Sequence, residues 1–173
     1  MRENQKWFKE AKCGLMVHFG LYSLLGGEYR GKRMGSFIGE WIQSYFRIPN
    51  AEYEKLAGAF DPLYFDADEW VSVAEDCGAK YLVVTSKHHE GFALFDSKAD
   101  DFTSVKASPF KRDLIEELAN ACARKNFKLG LYYSQALDWH EKNGGGYEAD
   151  CGDNLGLPWC NDWDFPNAAE KNY

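Results

Sequence analysis

The sequence predicts an α/β fold of parallel strands joined by helices, and three observations predict it. Apolar, β-branched runs of strand length alternate with amphipathic helical stretches. The stretches between runs are long enough for crossovers, and strands joined by helical crossovers are parallel with right-handed connections. Each run ends in polar or aromatic side chains, the place where parallel α/β folds collect their ligands.

The elements follow in chain order. Asn4 to Lys9 reads as a helical turn, and Cys13 to Val17 as the first strand, ending in His18-Phe19-Gly20. Residues 21–39 read as a long loop, because Gly26, Gly27, Gly31, Gly35 and Gly39 break any period. Glu40-Trp41 then opens a short helix over Ile42 to Phe46, which stops before Pro49. Asn50 is placed as the cap of a helix over Ala51 to Ala57. Asp66, with Glu69 three residues on, starts the next helix, whose apolar stripe is Trp70, Val73, Ala74 and Cys77 and whose C′ residue is Gly78. The second strand, Lys80 to Ser86, delivers Lys87-His88-His89-Glu90-Gly91-Phe92. A polar loop leads to a helix starting at Ser108 or Lys111, striped by Leu114, Ile115, Leu118, Ala119 and Cys122. The third strand, Phe127 to Ser134, is followed by Asp138-Trp139-His140. From residue 141 to 173 the chain reads as loop.

Two architectures place ligands at the C-terminal ends of parallel strands. An open dinucleotide-binding sheet needs a glycine-rich phosphate turn after its first strand, and His18-Phe19-Gly20 is not one. The barrel of eight β/α units ranks higher. Three strands cannot close such a barrel, which takes about 250 residues. Residues 1–173 are therefore expected to be a partial barrel domain, roughly its first three units. Two open sheet edges make pairing with the missing barrel half, or with a second copy, an expectation.

Composition narrows the partners. A net charge of −7, from 20 basic and 27 acidic residues, argues against nucleic acid. No apolar stretch reaches membrane-span length and no signal peptide is visible, so a soluble chain is expected. The five cysteines show no metal-type spacing. Cys13 and Cys77 are expected in the core, while Cys151 and Cys160 lie in the loop-like tail and either pair or stay free.

The chemistry gathers at strand ends. A single strand-end histidine is commonly a hydrogen-bonded structural group. Two strands aiming His18 and His88 at one place weaken that view. Adjacent His88 and His89 point to opposite faces of a strand unless it breaks there, which Gly91 permits. Zinc would suit three histidines, but the first strand lacks His-x-His because its third position is Gly20; no metal or other cofactor is expected. Glu40 beside Trp41 alone would be a helix N-terminal acid next to a core indole. Near a pocket, an indole face with a carboxylate suits a sugar. Trp139, Trp159 and Trp163 fit the same chemistry. The pair Asp100-Asp101 reads as a solvated loop.

Taken together these segments resemble the N-terminal part of the catalytic domain of the α-L-fucosidases of glycoside hydrolase family 29. The matching residues are Trp7-Phe8, Lys12 to Gly20, Glu40-Trp41, Gly78 to Tyr81, Lys87 to Phe92, Lys111 to Leu114, and Gly130 to Ser134 with Asp138-Trp139. Phe19 stands where many members have Trp, and Glu90 where Asp is commoner. The resemblance implies a (β/α)₈ TIM-like barrel that removes terminal α-L-fucose from glycans with retention and without a metal. It implies contacts to fucose from His18, Glu40, Trp41, His88, His89 and Tyr133. No residue here matches the family's nucleophile, an Asp ending the fourth strand; that group and the acid/base are expected beyond Tyr173. Asp138 and Asp164 precede that strand. The alternative is a fucose-binding module without catalysis.

Overall fold

The structure is a computed structural model, and it describes residues 5–35, 38–135, 137–142, 144 and 161–165. Helix α1 (Lys6–Ala11) leads into strand β1 (Leu15–Val17). Helix α2 (Tyr22–Leu25), the hairpin strands β2 (Glu28–Tyr29) and β3 (Lys32–Arg33), and helices α3 (Ile42–Phe46) and α4 (Asn50–Tyr53) follow. Helix α5 (Ala67–Asp76), strand β4 (Tyr81–Lys87), helix α6 (Leu114–Arg124) and strand β5 (Lys128–Tyr133) complete the order.

The three long-range strands form one sheet in the order β1-β4-β5, both pairs parallel. Leu15 sits opposite Leu82, and Leu82 opposite Leu129. The expected alternation of parallel strands and crossover helices is therefore present. Both long helices start at an aspartate cap, the first at the expected Asp66 and the second at Asp113. Asp66 accepts from the Glu69 N–H at 3.0 Å and Asp113 from the Glu116 N–H at 2.8 Å. Each aspartate satisfies an N–H that the first helical turn leaves unpaired. Gly78, at φ 79, lets the chain leave α5 and enter β4. The core lies between the sheet and α5 and α6, where Val71, Leu82, Val84, Leu114 and Leu118 are each fully buried.

Several expectations shift. Residues 21–39 are not a structureless loop. Gly26 takes a left-handed φ and ends α2, and Arg30 and Gly31, both at positive φ, make the two-residue turn between β2 and β3. The glycines there punctuate short elements. Pro49, not Asn50, is the N-cap of α4, and it makes no side-chain cap bond. The Asn50 amide instead accepts from Gln43 and donates to the Trp139 carbonyl. Beyond Tyr53 that helix tightens into a 3₁₀ turn, Glu54–Ala59. The last crossover helix begins at Leu114 rather than at Ser108 or Lys111; the φ of 56 at Lys111 is incompatible with a helix.

The buried residues of α5 are Ala67, Val71 and Ala74; of the expected stripe Ala74 is buried, Trp70 is partly buried against the core, and Val73 is 49% exposed. Cys77, at the helix C-cap, and Cys13, ahead of β1, are both exposed and are not core residues. Cys122 is buried, and so is Ala121, whereas Ala119 is exposed. Cys151, Cys160 and Trp159 lie outside the described residues. No described helix is long and apolar enough to cross a membrane. Beside β1 an open groove of about 340 Å³ is lined by Leu15, Val17, Trp70, Val73 and Leu82.

Candidate functional site

Three parallel strands end side by side, and the polar groups of their C-terminal ends converge. β1 hands over to His18, the first residue after Val17. β4 hands over to His88 and His89. Its pairing to β5 shifts between Thr85 and Lys87, and a turn closes from the Gly91 N–H to the His88 carbonyl at 3.1 Å. Gly91 has φ 84, which only glycine adopts readily. The strand thus breaks before the pleat can separate the two imidazoles, and their ring centres lie 4.1 Å apart.

The His18 ring lies 5.5 Å from that of His88, and its Nε2 is 3.6 Å from Glu40 Oε1. Glu40 comes from the 3₁₀ turn Gly39–Trp41, which also carries Trp41. Trp41 packs edge-on against His89 at 5.2 Å and against Trp139 at 5.3 Å. His18, Glu40, Trp41, His88 and His89 are therefore neighbours. Tyr133 is not among them. Its ring is 49% exposed and lies 5.0 Å from the Lys87 ammonium, lining a separate cavity of about 240 Å³. Tyr132 takes the place facing His88, stacked at 5.4 Å and 24°. Adjacent strand residues point to opposite faces, and the register puts Tyr132 opposite Thr85 and Tyr133 opposite Lys87. The Tyr-Tyr pair alone does not say which ring faces inward.

Burial decides the charge of the site. Both His88 and His89 are depressed chiefly by desolvation: His88 lies far below the imidazole range, lowered further by His89 and His18, and His89 is lowered to about 4. Both are neutral near pH 7. The Ser134 hydroxyl donates to the Leu137 carbonyl, and its oxygen lies 2.6 Å from His89 Nδ1; the His89 ring also hydrogen-bonds the Leu137 backbone. His88 Nδ1 is buried without a hydrogen-bond partner among the described residues. The cluster thus combines neutral imidazoles, the partly exposed carboxylate of Glu40 and aromatic faces, a set that accepts and donates to hydroxyls without demanding charge on the ligand.

His18, Glu40 and His88 also offer three possible cation ligands within 4.8 Å of one another. Bond lengths to zinc would draw such atoms to about 3.4 Å apart, so this is a loose fit. Asp138 is buried and ion-paired with Lys87, and Asp164 accepts from the Asn50 N–H and the Asn161 amide. Both carboxylates are engaged in holding the fold. Two residues after His88 stands Glu90, 1% exposed, its oxygens on Leu21 and Tyr53, a residue the sequence marked as part of the histidine motif and not as a site residue.

The family described as Alpha-L-fucosidase matches residues 1–167. The tissue alpha-L-fucosidase of Rattus norvegicus is 36% identical over 142 residues, covering 78% of this chain and 30% of its own length. The alpha-L-fucosidase AlfC from Lactobacillus casei, solved in complex with its alpha-L-fucose product, superposes with a TM-score of 0.92 at 56% identity, over 99% of this chain and 53% of its own. A variant of the same enzyme in complex with Fuca(1,6)GlcNAc gives 0.91 at 56% identity, over 99% of this chain and 52% of its own. The chain thus spans about half the length of these solved chains and less than a third of the rat relative.

Proposed function

Because the chain belongs to the α-L-fucosidase family, we propose that it supplies the fucose-holding part of a retaining exo-α-L-fucosidase acting on fucosylated glycans. The observation that carries this is the convergence of His18, Glu40 and His88 from three separate segments. Fucose presents hydroxyls on one side and an apolar ring face and methyl on the other. Neutral imidazoles and Glu40 match the hydroxyls, and Trp41 backs His89 against Trp139. Tyr132 takes the tyrosine position in this subsite.

Retaining hydrolysis needs two carboxyls about 5–5.5 Å apart. Glu40 is the carboxylate of the cluster, and the nucleophile and acid/base belong to residues following Tyr173 in the parent enzyme. Residues 1–173 then form about the first three units of a (β/α)₈ barrel. What supports this is that β1 and β5 each pair on one side only among the described strands, and that Met16 and Leu131 are 44% and 54% exposed. Their covering is the remaining barrel half or a second copy.

The test is calorimetric titration of L-fucose into the 173-residue chain. Binding is expected in the chain and its loss in both Glu40→Ala and His88→Ala, with p-nitrophenyl α-L-fucoside cleaved by the longer parent only. Absence of binding in the chain, or equal binding by both variants, would overturn the assignment.

A further inference from the structure

Building on the fucose subsite proposed above, we propose that Glu90 is a positioning residue: it ties the segment carrying His18 to the strand end carrying His88, and so sets the spacing of the two rings on the sugar.

Glu90 stands two residues after His88, and its Oε1 accepts from the Leu21 N–H at 3.0 Å, three residues after His18. Its Oε2 accepts from the Tyr53 hydroxyl. The carboxylate therefore joins three parts of the chain: the end of β4, the start of α2 and the end of α4. A second clip runs alongside. Thr85 Oγ1 accepts from the Phe19 N–H at 3.0 Å and donates to the Phe19 carbonyl at 3.1 Å. The Tyr22 hydroxyl meets the same Thr85 oxygen at 3.2 Å, and the Tyr22 ring lies edge-on to His88 at 5.5 Å. His18 is thus held by main-chain bonds on residues 19 and 21, both anchored to the strand that carries His88.

A purely packing role would not choose this group. A buried carboxylate is costly unless hydrogen-bonded, and the donors here are neutral. What a carboxylate adds over an apolar side chain is two directional bonds at a defined reach. The segment comes so close that Gly20 has no room for a side chain: a Cβ there would run into Glu90 Oε1 and the Tyr22 ring.

The test uses the 173-residue chain with Glu90→Gln and Glu90→Asp. Gln keeps the length and an acceptor for Leu21; Asp keeps the charge but is one methylene short. The readouts are L-fucose affinity by calorimetry, the ¹H–¹⁵N imidazole signals of His18 and His88, and the unfolding midpoint. If reach positions the rings, Asp weakens fucose binding by about tenfold or more, as expected for an ångström-scale misplacement, and shifts both imidazole signals. Gln stays within about threefold, because it retains the Leu21 bond. A merely structural residue would lower the midpoint and leave affinity and imidazole signals as in the parent chain; that result overturns the proposal. If the unsubstituted chain does not bind fucose, the function reading fails, and the imidazole signals alone still decide whether Glu90 positions the rings.

Discussion

Replacing Asp138 by Ala is expected to cost a large part of the stability of this chain. Asp138 and Lys87 form an ion pair whose side chains are 2% and 10% exposed. The Asp138 carboxylate also accepts from the His140 N–H at 3.0 Å. Removing one partner of a buried pair takes away the opposite charge facing the other, at about 3–5 kcal/mol. A single domain has about 5–15 kcal/mol in total. The damage would reach the site, because Lys87 adjoins His88 and the Trp139 N–H donates to the His89 carbonyl at 2.6 Å. Urea unfolding followed by the fluorescence of the six tryptophans reads the effect. With a slope of about 2 kcal/mol per molar urea, the midpoint should fall by about 1.5–2.5 M. The double variant Lys87→Met with Asp138→Leu removes both charges and should recover much of the loss, since apolar replacements of buried pairs are often near neutral. An Asp138→Ala chain within about 1 kcal/mol of the parent would refute the reasoning. So would a double variant no better than the single one.

Two further outcomes follow from the site. Stability should fall as pH drops from about 6.5 towards 5. In the unfolded chain both His88 and His89 take up protons there, while in the folded chain burial keeps them neutral, His89 down to about 4. Glu90 opposes this, because desolvation pushes it up to about 7, so the folded chain holds a proton that the unfolded one has released. Two histidines against one carboxyl leave about one net proton favouring unfolding, or roughly 1.4 kcal/mol per pH unit. Urea midpoints across this range check the sign, and Glu90→Gln should steepen the slope; a flat profile would contradict the buried neutral imidazoles. In fucose calorimetry, Tyr132→Leu should weaken binding by roughly tenfold through loss of a polar contact and ring stacking. Tyr133→Leu should leave it unchanged, and the reverse order would show that the inward face of β5 has been misassigned.

Short-range patterns along the chain carry the local chemistry of this protein. Asp66 caps its helix because a short acceptor three residues before a free N–H works at short range, whereas the same role of Asp113 is not read from the sequence, which places that helix from Ser108 or Lys111. The order of strands and crossovers, and the delivery of His18, His88 and His89 at strand ends, follow from periodicities of a few residues. Tertiary structure decided which face each side chain takes. Tyr132 rather than Tyr133 meets His88 because the register with β4 sets the phase of β5. Val71 rather than Val73 is buried, and Cys13 and Cys77 are exposed, because the neighbours of α5 and β1 choose among equally spaced stripes. Glu90 became legible only when Leu21 and Tyr53, 69 and 37 residues away, arrived at its oxygens. Such pairings depend on distances that no local pattern encodes.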